Sequence, residues 1–211
     1  MSDGASVQKY PLQKWTSRCV KRGIDIILSL IAILFSPLWF IPLAIAVKLS
    51  SRGPVLFRQR RTGYKGREFC CLKFRTMQLN DEADELQAYS GDTRITKVGH
   101  FLRKTSLDEL PQVFNILWGD MSIVGPRPHM IKHTVYYSTL IDNYMLRHLA
   151  KPGLTGLAQV CGYRGETRNL WQMEKRVDYD VKYIEKWSIW QDFKIIARTF
   201  LSIFKHDANA I

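Results

Sequence analysis

The stretch IDIILSLIAILFSPLWFIPLAIAV, Ile24 to Val47, decides how this chain is organised. No charged side chain lies between Ile26 and Val47, and the run is about as long as one helical crossing of a bilayer core. Two features argue against a plain crossing. Pro37 has no N–H and its ring clashes with the carbonyl four residues back, so a straight helix breaks at Ser36-Pro37; Pro42 weakens the second half again. Charge is the second feature. Lys9, Lys14, Arg18, Lys21 and Arg22 precede the run, Lys48, Arg52, Arg58, Arg60, Arg61, Lys65 and Arg67 follow it, and Asp25 is the only acidic residue between Asp3 and Glu68. A single span leaves its Lys/Arg excess on the cytoplasmic side, and here both flanks compete for that side. A helix that breaks at Ser36-Pro37 and returns to the face it entered satisfies both, with Ser36 Oγ as a local partner for backbone groups freed at the bend.

Three other kinds of segment carry apolar runs. A kinked transmembrane helix requires neighbours to satisfy the groups freed by proline. A core helix of a water-soluble domain is seldom apolar on all sides for this length. A secretory signal has a shorter apolar region followed by a small-residue cleavage site, and none follows here. The re-entrant hairpin is the reading that the charges favour.

Working outward, 211 residues leave room for one modest domain beside the membrane element. The expected organisation is a basic interfacial segment over 1–22, a re-entrant hairpin over 23–48 and a cytosolic unit over 49–211 with interfacial helices. The fold class is α+β, with a helix-break-helix and a short β-hairpin. A formal net charge of +12 calls for anionic partners. Nucleic acid fits poorly, because the basic residues crowd beside the apolar run, where anionic lipid lies; a non-catalytic basic peripheral module that binds anionic lipid or assembly partners is the alternative to an enzyme. Cys19, Cys70, Cys71 and Cys161 form no CxxC pair, which points to a reducing compartment.

Residues 1 to about 11 are small and polar and expected to fray. Gln13 to Asp25 suits an interfacial helix or an ordinary solvated basic segment. After the hairpin, Val55-Leu56-Phe57 and Glu68 to Phe74 read as strands joined through Gly63-Tyr64-Lys65-Gly66. Lys73 and Arg75, two apart, project from one face of a strand; that face holds phosphate or is a solvated basic edge. Asp81 to Gln87 is an acidic, helix-favouring patch, and Gly91 to Gly99 a loop. Ser106-Leu107-Asp108-Glu109 matches a capping box, with Ser106 as N-cap and Glu109 reaching back to it. Acidic residues belong in a first helical turn on dipole grounds alone. The same geometry would present helix N–H groups to a phosphate beside Arg103 and Lys104, with one carboxylate attacking phosphorus and the other holding Mg²⁺.

Gly125-Pro126-Arg127-Pro128 is a rigid turn that presents one guanidinium to a phosphate, or pairs it with a carboxylate for structural reasons. His129 and His133 have metal-pair spacing but lack a third ligand, and read as surface or packing residues. Tyr136 to Leu149 is amphipathic. KPGLTGLAQVCGYRGE is a turn-rich, substrate-facing loop. Thr167 to Trp187 is helical, and a last helix bears Trp187, Trp190, Phe193, Ile196, Phe200 and Phe204, which either pack on the core or lie at headgroup depth.

Together, KRGIDIILS, LKFRTM, LRKTSLDELPQVFNILWGDMSIVGPRP and HLAKPGLTGLAQVCGYRGET, in this order, resemble the bacterial sugar transferase family, the monotopic phosphoglycosyl transferases. The resemblance covers roughly Lys21 to Phe200. It implies transfer of a sugar 1-phosphate from a UDP-sugar to polyprenol (undecaprenyl) phosphate, with release of UMP, as the first membrane step of exopolysaccharide or glycan assembly. It also implies Mg²⁺, a covalent phosphosugar intermediate and a re-entrant helix broken at Ser-Pro. By position, Asp108 is the implied nucleophile and Glu109 its partner, both near the metal; Arg103 and Arg127 hold phosphate and Lys73 lies close to the dyad. The implied partners are a UDP-sugar, polyprenol phosphate, anionic membrane lipid and, as a homodimer, a second copy of the chain. The implied location is the cytoplasmic face of a bacterial inner membrane, with both ends cytoplasmic. Longer members carry transmembrane helices and a further domain ahead of this unit, so the chain reads as a minimal form or a trimmed one. The stretch CGYRGETRNLWQMEKRVDYDVKYIEKWSIW looks more like members that use UDP-glucose or UDP-galactose than those that use di-N-acetylated sugars.

Overall fold

The computed structural model describes residues 10–79, 89, 91–165, 167 and 169–204. The expected fraying of 1–9, the acidic helix at Asp81–Gln87, Glu166 of the turn-rich loop and the side chain of Phe204 lie outside the described residues.

A short 3-10 turn, Pro11–Gln13, leads into α1 (Trp15–Leu34), which meets α2 (Ser36–Ser50) across Phe35. The apolar run therefore breaks where Ser36-Pro37 predicts, and the two helices meet at a bend of 63°. Proline is tolerated in the first turn of α2 because that N–H has no helical partner anyway. Pro42 ends nothing: α2 continues through it. The basic lead-in is continuous with the first arm, since α1 runs unbroken through Arg22 and Gly23. Among the described residues no single helix is long and apolar enough to cross a membrane; α1 and α2 pass that test only as a bent pair.

The face that α1 turns toward the rest of the chain is polar. Lys21, Asp25 and Ser29, spaced four apart on one stripe, are buried, while Ile27, Leu30, Ile31 and Leu34 are exposed. Asp25 Oδ1 accepts from the Ile123 N–H at 2.9 Å and Ser122 Oγ at 3.0 Å. Arg22 donates to the carbonyls of Ile116 and Leu117 at 2.5 and 2.6 Å, satisfying groups that a helix end leaves open. The pattern inverts that of a helix on a water-soluble core.

Strands β1 (Leu56–Thr62) and β2 (Glu68–Phe74) form the expected antiparallel hairpin, with Gln59 opposite Cys71. The first strand runs further than the apolar Val55-Leu56-Phe57 indicated. Then come α3 (Lys97–Thr105), a 3-10 turn over Leu107–Glu109, α4 (Gln112–Trp118), β3 (Ser122–Val124) and α5 (Ile131–Ser138). A second 3-10 turn (Tyr144–Leu149), β4 (Gly153–Thr155), α6 (Leu157–Val160), α7 (Leu170–Glu185) and α8 (Ile189–Phe204) complete the order. The expected amphipathic stretch from Tyr136 to Leu149 is thus not one helix: α5 stops at Ser138, and Asn143, at φ 61°, redirects the chain into the 3-10 turn. The loop expected to Gly99 ends early, because Thr96 Oγ1 accepts from the Gly99 N–H and starts α3 at Lys97.

β3 and β4 pair in parallel, Ser122 with Gly153 and Val124 with Thr155. This pairing draws the Gly125-Pro126-Arg127-Pro128 turn against the Pro152-Gly153 loop; a Cβ on Gly153 would lie 2.1 Å from Gly125 N, so glycine is required there by close approach. Among the described residues, four apolar clusters hold the layers. Val47, Phe74 and Leu102 seat α2 against β2 and α3. Cys71, Ile116 and Met121 seat β2 on α4, and Leu12, Val124, Tyr183, Ile184 and Ile195 join β3 to α7 and α8. Ile141, Tyr144, Met173 and Val177 fix the second 3-10 turn on α7. On α8, Ile195 is buried, whereas Trp190, Phe193 and Phe200 are exposed.

Candidate active site

The site forms where the hairpin, the turn after α3 and two loops meet. Gly99 lets α3 lie directly on the end of β2; a Cβ there would sit 1.9 Å from Thr76 O. Arg103, one turn later, donates from Nε to Thr76 Oγ1 at 2.8 Å. At Ser106 the helix ends. Its φ of 61° is the left-handed conformation of a C-cap, so the expected capping box does not form and no α-helix starts there. The chain enters the 3-10 turn instead and sends both acidic side chains inward. Asp108 is 8% exposed and Glu109 4%. The three-residue turn offers no extended helix N-terminus to a phosphate.

Glu109 is saturated by cations. Lys73 Nζ donates to Oε1 at 2.8 Å, Arg127 Nη2 to Oε1 at 2.7 Å and Nη1 to Oε2 at 3.2 Å, and Arg164 Nη2 lies 3.8 Å from Oε2. Burial would raise its pKa, but Arg127, Lys73 and Arg164 together hold the carboxyl well below the ordinary glutamate range. Asp108 is the opposite case. Its carboxylate makes no hydrogen bond among the described residues. Burial pushes its pKa up, against the pull of Lys73, Arg103 and Arg127 and with the help of Glu109 beside it. Adjacent residues thus differ in availability: one carboxylate is fixed and ionised, the other is unpartnered and surrounded by positive charge.

The supports are polar as well. Asn115, fully buried on α4, accepts from the Leu72 N–H at 3.0 Å and donates to Cys70 O at 2.7 Å, holding the strand that carries Lys73. Gly153 N–H donates to Pro126 O at 2.9 Å and Gly125 N–H to Thr155 O at 2.8 Å, fixing the turn that carries Arg127. Arg147, Asp180, His129 and Tyr144 form a buried group behind that turn; Arg147 pairs with Asp180 at 2.6 Å and His129 Nδ1 lies 2.7 Å from Tyr144 Oη. Burial and Arg147 keep the His129 pKa well below its usual value, so the ring is neutral packing. His133 shares a ring contact with Tyr137.

Of the residues singled out from sequence, the structure brings Lys73, Arg103, Asp108, Glu109 and Arg127 together. Arg75 is elsewhere. It turns away from Lys73 and donates to the carbonyls of Pro54, Ser51 and Val47, the last two at 2.7 and 3.5 Å, closing the end of α2. The two-residue spacing misled because β2 stops at Phe74, so strand alternation no longer applies at Arg75. Sequence reading placed KPGLTGLAQVCGYRGE beside substrate but passed over Arg164 in it. Its signal was a guanidinium between Gly162 and Gly165, a parallel to Arg127 between prolines. Asn115 and Thr76 carried no signal at all.

For metal, no cluster of three or more His, Cys, Asp or Glu residues exists among the described residues. Glu109 has its oxygens occupied, which leaves Asp108 as a free oxygen donor. That donor set, a single free carboxylate, fits Mg²⁺, which needs few protein ligands.

The model of the family described as bacterial sugar transferase matches residues 16–206. The chain belongs to the bacterial sugar transferase family. Among its relatives, a UDP-glucose:undecaprenyl-phosphate glucose-1-phosphate transferase of Klebsiella pneumoniae is 56% identical over 191 residues, 90% of this chain and 40% of the relative. The protein of the same name from Escherichia coli K12 is 54% identical over 92% of this chain and 41% of its own length. The Caulobacter vibrioides protein of that name is 48% identical over 93% of this chain and 74% of its own. The chain thus spans about two fifths of the length of the first two relatives. All the residues around the dyad, from Lys73 to Arg164, lie within the matched family segment.

Proposed function

We propose that this bacterial sugar transferase moves a hexose 1-phosphate, glucose 1-phosphate in the first instance, from a UDP-sugar to undecaprenyl phosphate at the cytoplasmic face of the bacterial inner membrane. The observation that carries the mechanism is the contrast within the dyad: a buried Asp108 with no hydrogen-bond partner, next to a Glu109 held by cations. The relatives' names support the substrate pair.

In this reading Asp108 Oδ attacks the phosphorus that bears the sugar. The bond from that phosphorus to the bridging oxygen breaks and UMP leaves. An oxygen of the lipid phosphate then attacks the same phosphorus, the aspartyl bond breaks, and Asp108 returns as a carboxylate. A single site thereby serves a water-soluble donor and a lipid acceptor in turn. Arg103, Arg127 and Lys73 screen the negative charge that a carboxylate meets on approaching a diphosphate. Glu109 keeps Lys73 and Arg127, with Arg164, in place without competing for phosphorus, while Thr76 holds Arg103. Asp108 would hold Mg²⁺ through the carboxylate oxygen that does not attack, and the ion would supply further neutralisation of the diphosphate.

The membrane part of the proposal rests on the inverted α1 and on the exposed apolar surface of the bent pair. Ile27, Leu30, Leu34, Phe35, Leu38 and Ile41 are all exposed. A patch of that size in water is unfavourable, and the basic flanks on either side suit anionic headgroups. The pair dips into one leaflet and keeps the dyad level with the acceptor phosphate, and the product enters glycan assembly. Steady-state UMP release from UDP-glucose and undecaprenyl phosphate tests the proposal. Asp108→Asn is expected to lose roughly 10³-fold or more, and near-normal turnover in that variant removes Asp108 as nucleophile. Cysteines placed near Lys14 and near Arg67 are expected to react with an impermeant reagent from the cytoplasmic side only; labelling from opposite sides means a through-span.

A further inference from the structure

Arg176 sits on α7, 6% exposed, and among the described residues no carboxylate forms a salt bridge with it. Asp180, which pairs with Arg147, acts on it only at longer range, and a buried guanidinium without a direct ion pair is costly, so its hydrogen bonds are informative. Nε donates to Tyr163 O at 2.9 Å and Nη2 to Gly165 O at 2.6 Å. Those carbonyls flank Arg164, the residue that reaches Glu109 Oε2 at 3.8 Å. The arrangement has a counterpart nearby: Arg147 Nη2 donates to the carbonyl of Arg127 at 2.7 Å while pairing with Asp180. Each loop that brings an arginine to Glu109 is therefore gripped by its main chain from behind. The Arg164 loop needs the grip more. It follows Gly162, whose φ of 89° leaves the turn to glycine, and among the described residues no strand pairing holds it as β4 holds the Arg127 turn.

We infer that Arg164 is a further phosphate-binding cation of the site, taking the diphosphate of a nucleoside diphosphate donor, and that Arg176 is a positioning residue that latches its loop. Arg164 has the weakest hold on Glu109 of the three cations, so it is the one released to a ligand at least cost. Holding the backbone on both sides leaves only the side chain to be ordered on binding, which lowers the entropic cost. The identity of the ligand rests on the transferase reading; the latch does not.

The test uses the full chain in detergent and titrates UDP with Mg²⁺ by calorimetry. Arg164→Ala is expected to weaken UDP about ten-fold, the scale of one charge-assisted contact, and Arg176→Gln by a similar factor. The double variant is expected to bind no more than about two-fold worse than either single one, because both remove the same contact. Arg176→Lys keeps the buried cation but cannot fork across two carbonyls; it guards against a folding defect and should weaken UDP like Arg176→Gln. Amide hydrogen exchange around Tyr163–Gly165 should quicken in both Arg176 variants while Val177 and Ile184 on α7 stay protected. Losses that multiply in the double variant, or wild-type UDP affinity in Arg176→Lys, overturn the positioning role. Unchanged exchange overturns the latch. Failure of the unaltered chain to bind UDP counts instead against the donor assignment, and the exchange experiment still decides the latch.

Discussion

The joint between α1 and α8 and the turn that carries the dyad are both made of buried charge, but only one is closed. At the joint, Asp192 Oδ2 accepts from Lys21 at 2.6 Å and from Trp187 Nε1 at 3.1 Å, and Oδ1 accepts from Tyr183 Oη at 2.8 Å. Tyr183 also reaches Val124 O, tying the helix pair to the strand that leads into the Arg127 turn. At the dyad, Glu109 is saturated in the same manner while Asp108, one residue before it, has no hydrogen bond among the described residues. A saturated carboxylate holds structure. A buried one left open is a cost that a fold keeps only where something else is to be bound or attacked there.

The largest expected stability loss lies at the closed joint. Asp192→Ala strands Lys21 in a buried position and removes the acceptor for Tyr183 and Trp187, which costs about 3–5 kcal/mol. Chemical or thermal unfolding in detergent measures it. A loss below about 1 kcal/mol would reduce the joint to the standing of a surface ion pair. Arg75 belongs to the same class, since it closes the end of α2 through carbonyls. Arg75→Met is expected to cost about 1–3 kcal/mol by leaving those carbonyls unpaired, with the KM for UDP-sugar unchanged. A raised KM with unaltered stability would return Arg75 to the phosphate-binding set.

Glu109→Gln comes next. It leaves Lys73, Arg127 and Arg164 without a counter-charge, but their side chains are 18%, 23% and 24% exposed, so solvent takes up part of the loss. The expected destabilisation is about 1–2 kcal/mol, together with a fall in turnover, read from unfolding curves and UMP release on the same samples. Turnover that falls while stability holds would mean Glu109 acts on substrate and not on its cations.

How much of this was legible in the sequence follows from the range of the interactions. The break at Ser36-Pro37 is a property of local backbone chemistry, and the bend appears there. The hairpin follows from turn residues and alternation, and Asp108-Glu109 with Arg127 is found by the local peculiarity of acidic residues and of prolines around an arginine. What failed depended on distant partners. Ser106 looked like an N-cap because Glu109 stood three residues on, yet Glu109 is claimed by Lys73, far back in the chain, and by Arg127. Asn115 and Arg176 act on carbonyls of other segments, and nothing in their own neighbourhood announces this. Pro42 lies inside α2, where it removes a hydrogen bond without ending the helix.

The smallest predicted effect decides most about the comparison, since its sign is opposite to the others. Asp108 has a pKa raised from 3.8 in the folded chain, so the folded state binds that proton more tightly than the unfolded one. The stability it contributes is present below the unfolded value and is lost as pH rises through the folded one. Glu109, depressed from 4.5, does the reverse: its contribution is present above the unfolded value and is lost as pH falls through the folded one. Above the folded pKa an ionised Asp108 therefore opposes folding, and there Asp108→Asn should stabilise the chain by about 1 kcal/mol, raising the unfolding midpoint by a few degrees while transfer falls as predicted above. The gain should shrink as pH is lowered, because the unaltered chain then takes up the proton itself, and wild-type activity should decline over the same interval as the proposed nucleophile is neutralised. Unfolding midpoints and turnover of the two proteins compared across a pH series that descends from neutral check both statements. If Asp108→Asn were less stable than wild type throughout, the carboxylate would be bonded like Asp192, and the distinction between a closed joint and an open site would fail.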